Sequence, residues 1–113
     1  SSVNHVSFSK AIPIGTTVTI EAKVSRAFNT SMEVFIDVWV DDEKGKKIKA
    51  NEAIYTFVAV DKNGRPTQID KIFPETIQEK KRYDAALRRK QLSLVLAGKM
   101  KADDATELKA LFS

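Results

Sequence analysis

Ala27-Phe28-Asn29-Thr30-Ser31-Met32-Glu33-Val34 joins two strand-like runs and decides how this chain is read. Before it, Val18, Ile20, Ala22 and Val24 alternate with Thr17, Thr19, Glu21 and Lys23. After it, Met32, Val34, Ile36, Val38 and Val40 alternate with Glu33, Phe35, Asp37, Trp39 and Asp41. A period of two sends successive side chains to opposite faces, so both runs read as half-buried antiparallel strands. The joint holds no Asn-Gly or Asp-Gly pair and is not an ordinary hairpin turn. Asn29, Thr30 and Ser31 bring small hydrogen-bonding side chains with free backbone amides. A polar joint of this kind can receive a phosphate or an amide chain.

Outward from the joint, residues 3–8 read as a first strand, which Pro13-Ile14-Gly15 interrupts. Strands follow over 16–26, 31–41 and 48–60. Asp42-Glu43-Lys44-Gly45-Lys46-Lys47 is a charged turn with Gly45 as its positive-φ residue. Asp61-Lys62-Asn63-Gly64-Arg65-Pro66 is another turn. A long helix is predicted from about Glu75 to Ala97, with Pro74 before it and Gly98 beyond its end. Asp103 or Asp104 then caps a short last helix through Leu111. The fold class is α+β, with a strand portion over 1–73 and a helical extension over 74–113.

At 113 residues the chain is one domain at most, and its 42% apolar and 30% charged content is that of a globular protein. No apolar run approaches the ~20 residues of a membrane span, and no secretory signal pattern opens the chain. The absence of cysteine removes disulfides and thiolate metal sites and fits a reducing, cytoplasmic compartment. The first residues are Ser1-Ser2 rather than Met, as in a processed chain or a fragment. The net charge of +4 is concentrated locally: Lys80, Lys81, Arg82, Arg88, Arg89, Lys90, Lys99 and Lys101 face only Glu79 and Asp84. Such a cluster is either a solvated helix face or a phosphate-attracting surface.

Catalytic chemistry finds little to work with. His5 is the only histidine and lacks a partner carboxylate, a cysteine or a Gly-x-Ser-x-Gly context. Asp41-Asp42-Glu43 reads as a turn and Asp103-Asp104 as a cap, so neither metal binding nor paired-carboxylate catalysis has a candidate. Phe35 and Trp39 share a face with Glu33 and Asp37, opposite Val34 and Val38. Large aromatics on a mostly polar face point to a subunit contact. A nucleic-acid-binding sheet would need its aromatics beside cations, but Glu33, Asp37 and Asp41 flank them. No nucleic acid is therefore expected as a partner.

Four blocks in order carry a family resemblance: Ser2-Val3-Asn4-His5-Val6-Ser7-Phe8, Pro13-Ile14-Gly15-Thr16, the joint, and Phe57-Val58-Ala59-Val60-Asp61. They resemble the acyl-CoA thioesterases of the hotdog fold, cytosolic acyl-CoA hydrolases above all. The likeness continues more loosely through Arg88-Arg89-Lys90. Asn4 departs from it, since many relatives carry Asp there.

The resemblance implies an antiparallel sheet wrapped around a central helix. That helix and the first strand precede the strand that opens this chain, so the chain is expected to be the C-terminal part of a longer protein. The missing portion, or a second chain, would carry the helix. It implies hydrolysis of fatty acyl-CoA to free fatty acid and CoA, with the catalytic Asp or Glu on the absent helix and no catalytic residue here. A non-hydrolytic CoA- or acyl-binding hotdog protein, or a dehydratase, is the alternative. The CoA-binding positions carried over are Ser1, Ser2 and Val3, whose backbone meets the pantetheine amides; Thr30, Ser31 and Met32 at the joint; and Lys90 at the nucleotide phosphates, with Arg89 a weaker addition. CoA is part of the substrate, and no separate cofactor is required. The expected assembly is a homo-oligomer, a dimer or a trimer of dimers.

Overall fold

The computed structural model describes residues 2–6 and 11–112, the first of these segments by its backbone alone. Its strands are β1 (Ser2–Val6), β2 (Val18–Ala27), β3 (Ser31–Asp41) and β4 (Lys47–Val58). They form one sheet in the order β1-β4-β3-β2, antiparallel at every pairing. This is the antiparallel arrangement that the period-two patterns predict. The predicted first strand reached Phe8, and its last two positions lie outside the described residues. Helix α1 (Ile77–Leu96), a 3-10 turn at Ala102–Asp104 and helix α2 (Thr106–Ala110) follow. The chain divides into two compact units, Ser1–Lys71 and Ile72–Ser113.

In the first unit, the register fixes which side chains share a face. Val18 and Ile20 pair with Val40 and Val38, and Ile48, Tyr55 and Phe57 pair with Val40, Val34 and Met32. Residues in register lie on the same side of a sheet, so these side chains form one apolar face. That face is open: Ile20 is 66% exposed, Val18 42% and Phe57 38%. The opposite face of β3 is the better buried one, although it carries Ser31, Glu33, Phe35 and Asp37, which are all buried. No large apolar side chain among the described residues is fully buried. The sheet therefore has its polar side closed and its apolar side half-exposed.

In the second unit, α1 starts two residues later than predicted because its cap lies deeper in the sequence. Thr76 Oγ1 accepts from Glu79 N–H at 3.1 Å, while the Glu79 carboxylate accepts from Thr76 N–H at 2.9 Å. This reciprocal capping box is worth about 1 kcal/mol and sets the first turn. At the other end, Lys99 N–H donates to Leu94 and Gly98 N–H to Val95, with Gly98 at φ +72°. Those paired bonds are a Schellman closure, which needs the left-handed residue that Gly98 supplies.

The expected Asp103 or Asp104 cap of the last helix does not form. Both aspartates sit in the 3-10 turn, and Ala105 occupies the N-cap without a side-chain bond. Gln91 of α1 takes over: its Oε1 accepts from Glu107 N–H at 2.9 Å and from Leu108 N–H at 3.1 Å. It is 7% exposed, beside fully buried Ala105 and Ala86, which is 1% exposed. One buried amide thus satisfies two otherwise orphaned donors of α2 and pins it to α1. Gln91→Ala should cost about 1–3 kcal/mol in urea denaturation and strip exchange protection from α2. Gln91→Glu should recover most of that loss, because a carboxylate also accepts at a helix N-terminus. Equal losses in both variants would show that Gln91 acts only by packing.

Candidate functional site

The joint of β2 and β3 is tight. Phe28 N–H donates to the Ser31 carbonyl at 2.7 Å, with Asn29 and Thr30 at the centre of the turn. No described non-glycine residue has positive φ, so this turn needs neither Asn-Gly nor Asp-Gly. Just before it, a bulge between Val24 and Arg26 sets the Arg26 guanidinium over the Phe28 ring at 5.8 Å.

A second segment ties the turn back. Residues 59–69 leave β4 as a small hairpin, with Val60 bridged to Pro66 and Thr67 N–H donating to Ala59 at 2.9 Å. Its tip is closed by Asp61, whose Oδ1 accepts from the Asn63 and Arg65 amides, and by Gly64 at φ +78°. From this hairpin Ala59 N–H reaches the Thr30 carbonyl at 2.8 Å, and Ile69 N–H reaches the Asn29 carbonyl at 3.0 Å. The amides of Asn29 and Thr30 have no hydrogen-bond partner among the described residues. The turn therefore has its acceptors occupied and two donors available. Nothing in the sequence marked Ala59 and Ile69, because backbone donors leave no side-chain signature.

The remaining predicted positions are distributed as follows. Ser31 is buried and Met32 is half-buried on the apolar face, both in register with β4, which leaves the Thr30 amide to meet a ligand. Ser2 and Val3 pair through β1 with Thr56 and Tyr55, which pair in turn with Glu33 and Val34. They thus lie at the joint's end of the sheet, two strand spacings or about 10 Å across. β1 is an edge strand of this sheet, which leaves one row of its backbone groups to pair elsewhere. Ser1 and the side chains of Ser2, Val3 and His5 lie outside the described residues. Lys90 belongs to the second unit, on α1, where it and Arg89 are half-buried.

Several of the described carboxylates are held in structural roles, whereas Asp41 Oδ1 is buried with no partner among the described residues. Asp42 Oδ1 accepts from the Lys44 and Lys46 amides at 2.8 Å, as its turn position predicts. Glu33, 3% exposed, accepts from Ser25 Oγ at 2.6 Å. Asp37 lies 2.8 Å from Lys49 Nζ, which also pairs with Glu52 and stands 5.6 Å from the centre of the Trp39 ring. Trp39 Nε1 is buried with no acceptor among the described residues. No group of three metal-ligating side chains occurs among the described residues. No described helix is long and apolar enough to cross a membrane.

The first unit is an antiparallel sheet with one open apolar face and an amide-presenting turn at its end. Comparison with known proteins bears on what such a sheet belongs to. The thioesterase superfamily model matches residues 1–47. Protein VdlD of Helicobacter pylori is 41% identical over 92 residues, which is 80% of this chain and 52% of that protein. A hexameric acyl-CoA thioesterase superposes with a TM-score of 0.78 at 31% identity, covering 86% of this chain and 63% of that one. An acyl-CoA hydrolase from Staphylococcus aureus, solved with butyryl coenzyme A and coenzyme A, gives 0.74 at 32% identity, covering 97% and 66%. This chain is similar to the thioesterase superfamily over residues 1–47, and its fold is that of hotdog acyl-CoA hydrolases. It spans about half the length, or less, of the curated relatives that it matches.

The pairing of Lys49 has a consequence for pH. Burial lowers its pKa, but the hydrogen bonds and charges of Asp37 and Glu52 outweigh that and raise it above 10.5. A raised folded pKa means that the charged form is preferred in the fold. The stabilisation is complete below about 10.5 and lost as pH rises through the higher folded value. Wild type should accordingly lose stability relative to Lys49→Met as pH climbs past that point. Parallel pH courses in thermal melts would show that the network contributes nothing.

Proposed function

We propose that this chain supplies the sheet and the CoA-binding surface of an acyl-CoA thioesterase. The enzyme hydrolyses fatty acyl-CoA to free fatty acid and CoA, which places it in fatty-acid metabolism. The observation that carries this reading is the joint: available amides at Asn29 and Thr30, beside an edge strand, within a chain similar to acyl-CoA hydrolases. In this reading the β1 backbone at Ser1, Ser2 and Val3 pairs with the pantetheine amides as an added strand would. Thr30, Ser31 and Met32 hold the same arm at the turn. Lys90 meets the nucleotide phosphates through a charge-assisted hydrogen bond.

The attack of water on the thioester belongs to a carboxylate on a central helix, carried by protein outside this chain. The helix N-terminus there polarises the thioester carbonyl, since unpaired amides favour developing negative charge. The half-exposed apolar face of β2, β3 and β4 supports such a cover. CoA enters as part of the substrate, with no further cofactor. The assembly is a homo-oligomer, a dimer or a trimer of dimers, as the hexameric neighbour supports. A cytoplasmic location accords with the cysteine-free sequence.

Release of free thiol from a panel of medium and long acyl-CoA esters tests the activity. The full-length protein should turn them over while residues 1–113 alone should not. CoA binding without hydrolysis in the full-length protein would replace the thioesterase by a non-hydrolytic hotdog binder. Hydrolysis by the isolated chain would require a catalyst among its own residues.

The phosphate role of Lys90 is tested separately. Lys90→Glu should weaken CoA binding in the full-length protein about tenfold or more, with an unchanged circular-dichroism spectrum. An unaltered dissociation constant would remove Lys90 from the site.

A further inference from the structure

We infer that Ile69 is a positioning residue, whose backbone N–H aims and strengthens the Thr30 amide that binds the CoA arm. The inference rests on the reading of the joint given above and extends it to a segment that makes no ligand contact itself. A trans peptide unit is planar, with its C=O and N–H pointing in opposite directions. The peptide between Asn29 and Thr30 contributes the Asn29 carbonyl and the Thr30 N–H. Ile69 N–H holds that carbonyl at 3.0 Å, so the Thr30 N–H must point away from the 59–69 hairpin. The next peptide is fixed in the same way, because Ala59 N–H holds the Thr30 carbonyl at 2.8 Å. The turn cannot rotate either plane without breaking one of these bonds.

The Ile69 bond also makes the Thr30 donor stronger. A carbonyl that accepts a hydrogen bond polarises its own peptide, and the N–H on the other side becomes a better donor. A ligand meeting a donor already aimed loses less freedom on binding than one that must order the turn. The ligand chemistry that fits is a neutral or anionic oxygen acceptor: an amide carbonyl of the pantetheine arm or a phosphoryl oxygen. Ile69 is suited to anchoring because its side chain is half-buried while its neighbours Gln68 and Asp70 are exposed.

Two measurements on the full-length protein test this. Ile69→Pro removes the N–H, and Ile69→Ala keeps it while removing most of the side chain. The first should raise KM for acyl-CoA about tenfold with kcat retained, and the second should restore KM to within about twofold of wild type. In the wild type, CoA should slow hydrogen exchange at the Thr30 amide. Pantetheine and adenosine 3′,5′-diphosphate, added separately, distinguish a carbonyl acceptor from a phosphoryl one. An unchanged KM in Ile69→Pro, an equal rise in Ile69→Ala, or a fall in kcat with no change in KM would overturn the inference. If Ile69→Pro does not fold, the exchange measurement decides: no slowing at Thr30 with saturating CoA overturns it. Turnover with an unprotected Thr30 would remove this inference alone, whereas absence of both CoA binding and hydrolysis would remove the thioesterase reading beneath it.

Discussion

The open apolar face of the sheet is the constraint on which the rest of this structure depends. Val18, Ile20, Val34, Val38, Ile48 and Phe57 stand on one side of β2, β3 and β4, and several remain more than a third exposed. Fully burying one such side chain is worth about 1.5–3 kcal/mol. The Asp37–Lys49–Glu52 network on the other side has a half-exposed Lys49, and surface pairs of that kind contribute roughly 0–1 kcal/mol each. Covering one exposed apolar side chain on this face would therefore outweigh a surface ion pair of the Lys49 kind.

The polar face behaves contrary to its composition. Glu33 and Asp37 are buried there, while the valines behind them are not. Central position in the sheet explains this. β3 has neighbours on both sides, and the long side chains of Arg26 and Lys49, in register with Glu33 and Trp39, extend over it. Aliphatic stems cover surface while their charged ends find partners. Burial on this face is thus internal to the sheet, whereas burial on the apolar face requires another element.

The two features most relevant to ligand binding arise from register and from a return of the chain. Antiparallel pairing places the start of β1 at the same end as the β2–β3 joint. The 59–69 hairpin then occupies the carbonyls of Asn29 and Thr30, and the first of these bonds turns the Thr30 amide away from the hairpin. Both are backbone arrangements. Side chains at the joint are secondary: Ser31 is buried, and Met32 turns to the apolar face.

The sequence by itself determined the elements whose causes are local. Period-two alternation placed β2 and β3, Gly45 marked a positive-φ turn position, and Gly98 marked the end of α1. The Thr76-x-x-Glu79 capping box was equally legible in principle, yet Pro74 drew the predicted helix start to Glu75. The tertiary structure alone decided whatever depends on distant residues. It replaced the expected Asp103 or Asp104 cap by Gln91, 16 and 17 residues upstream of the amides it satisfies. It also chose which sheet face is closed and which joint amides remain available. Hydrogen bonds between backbone groups far apart in the chain carry no residue-type signal, so only the folded register reveals them.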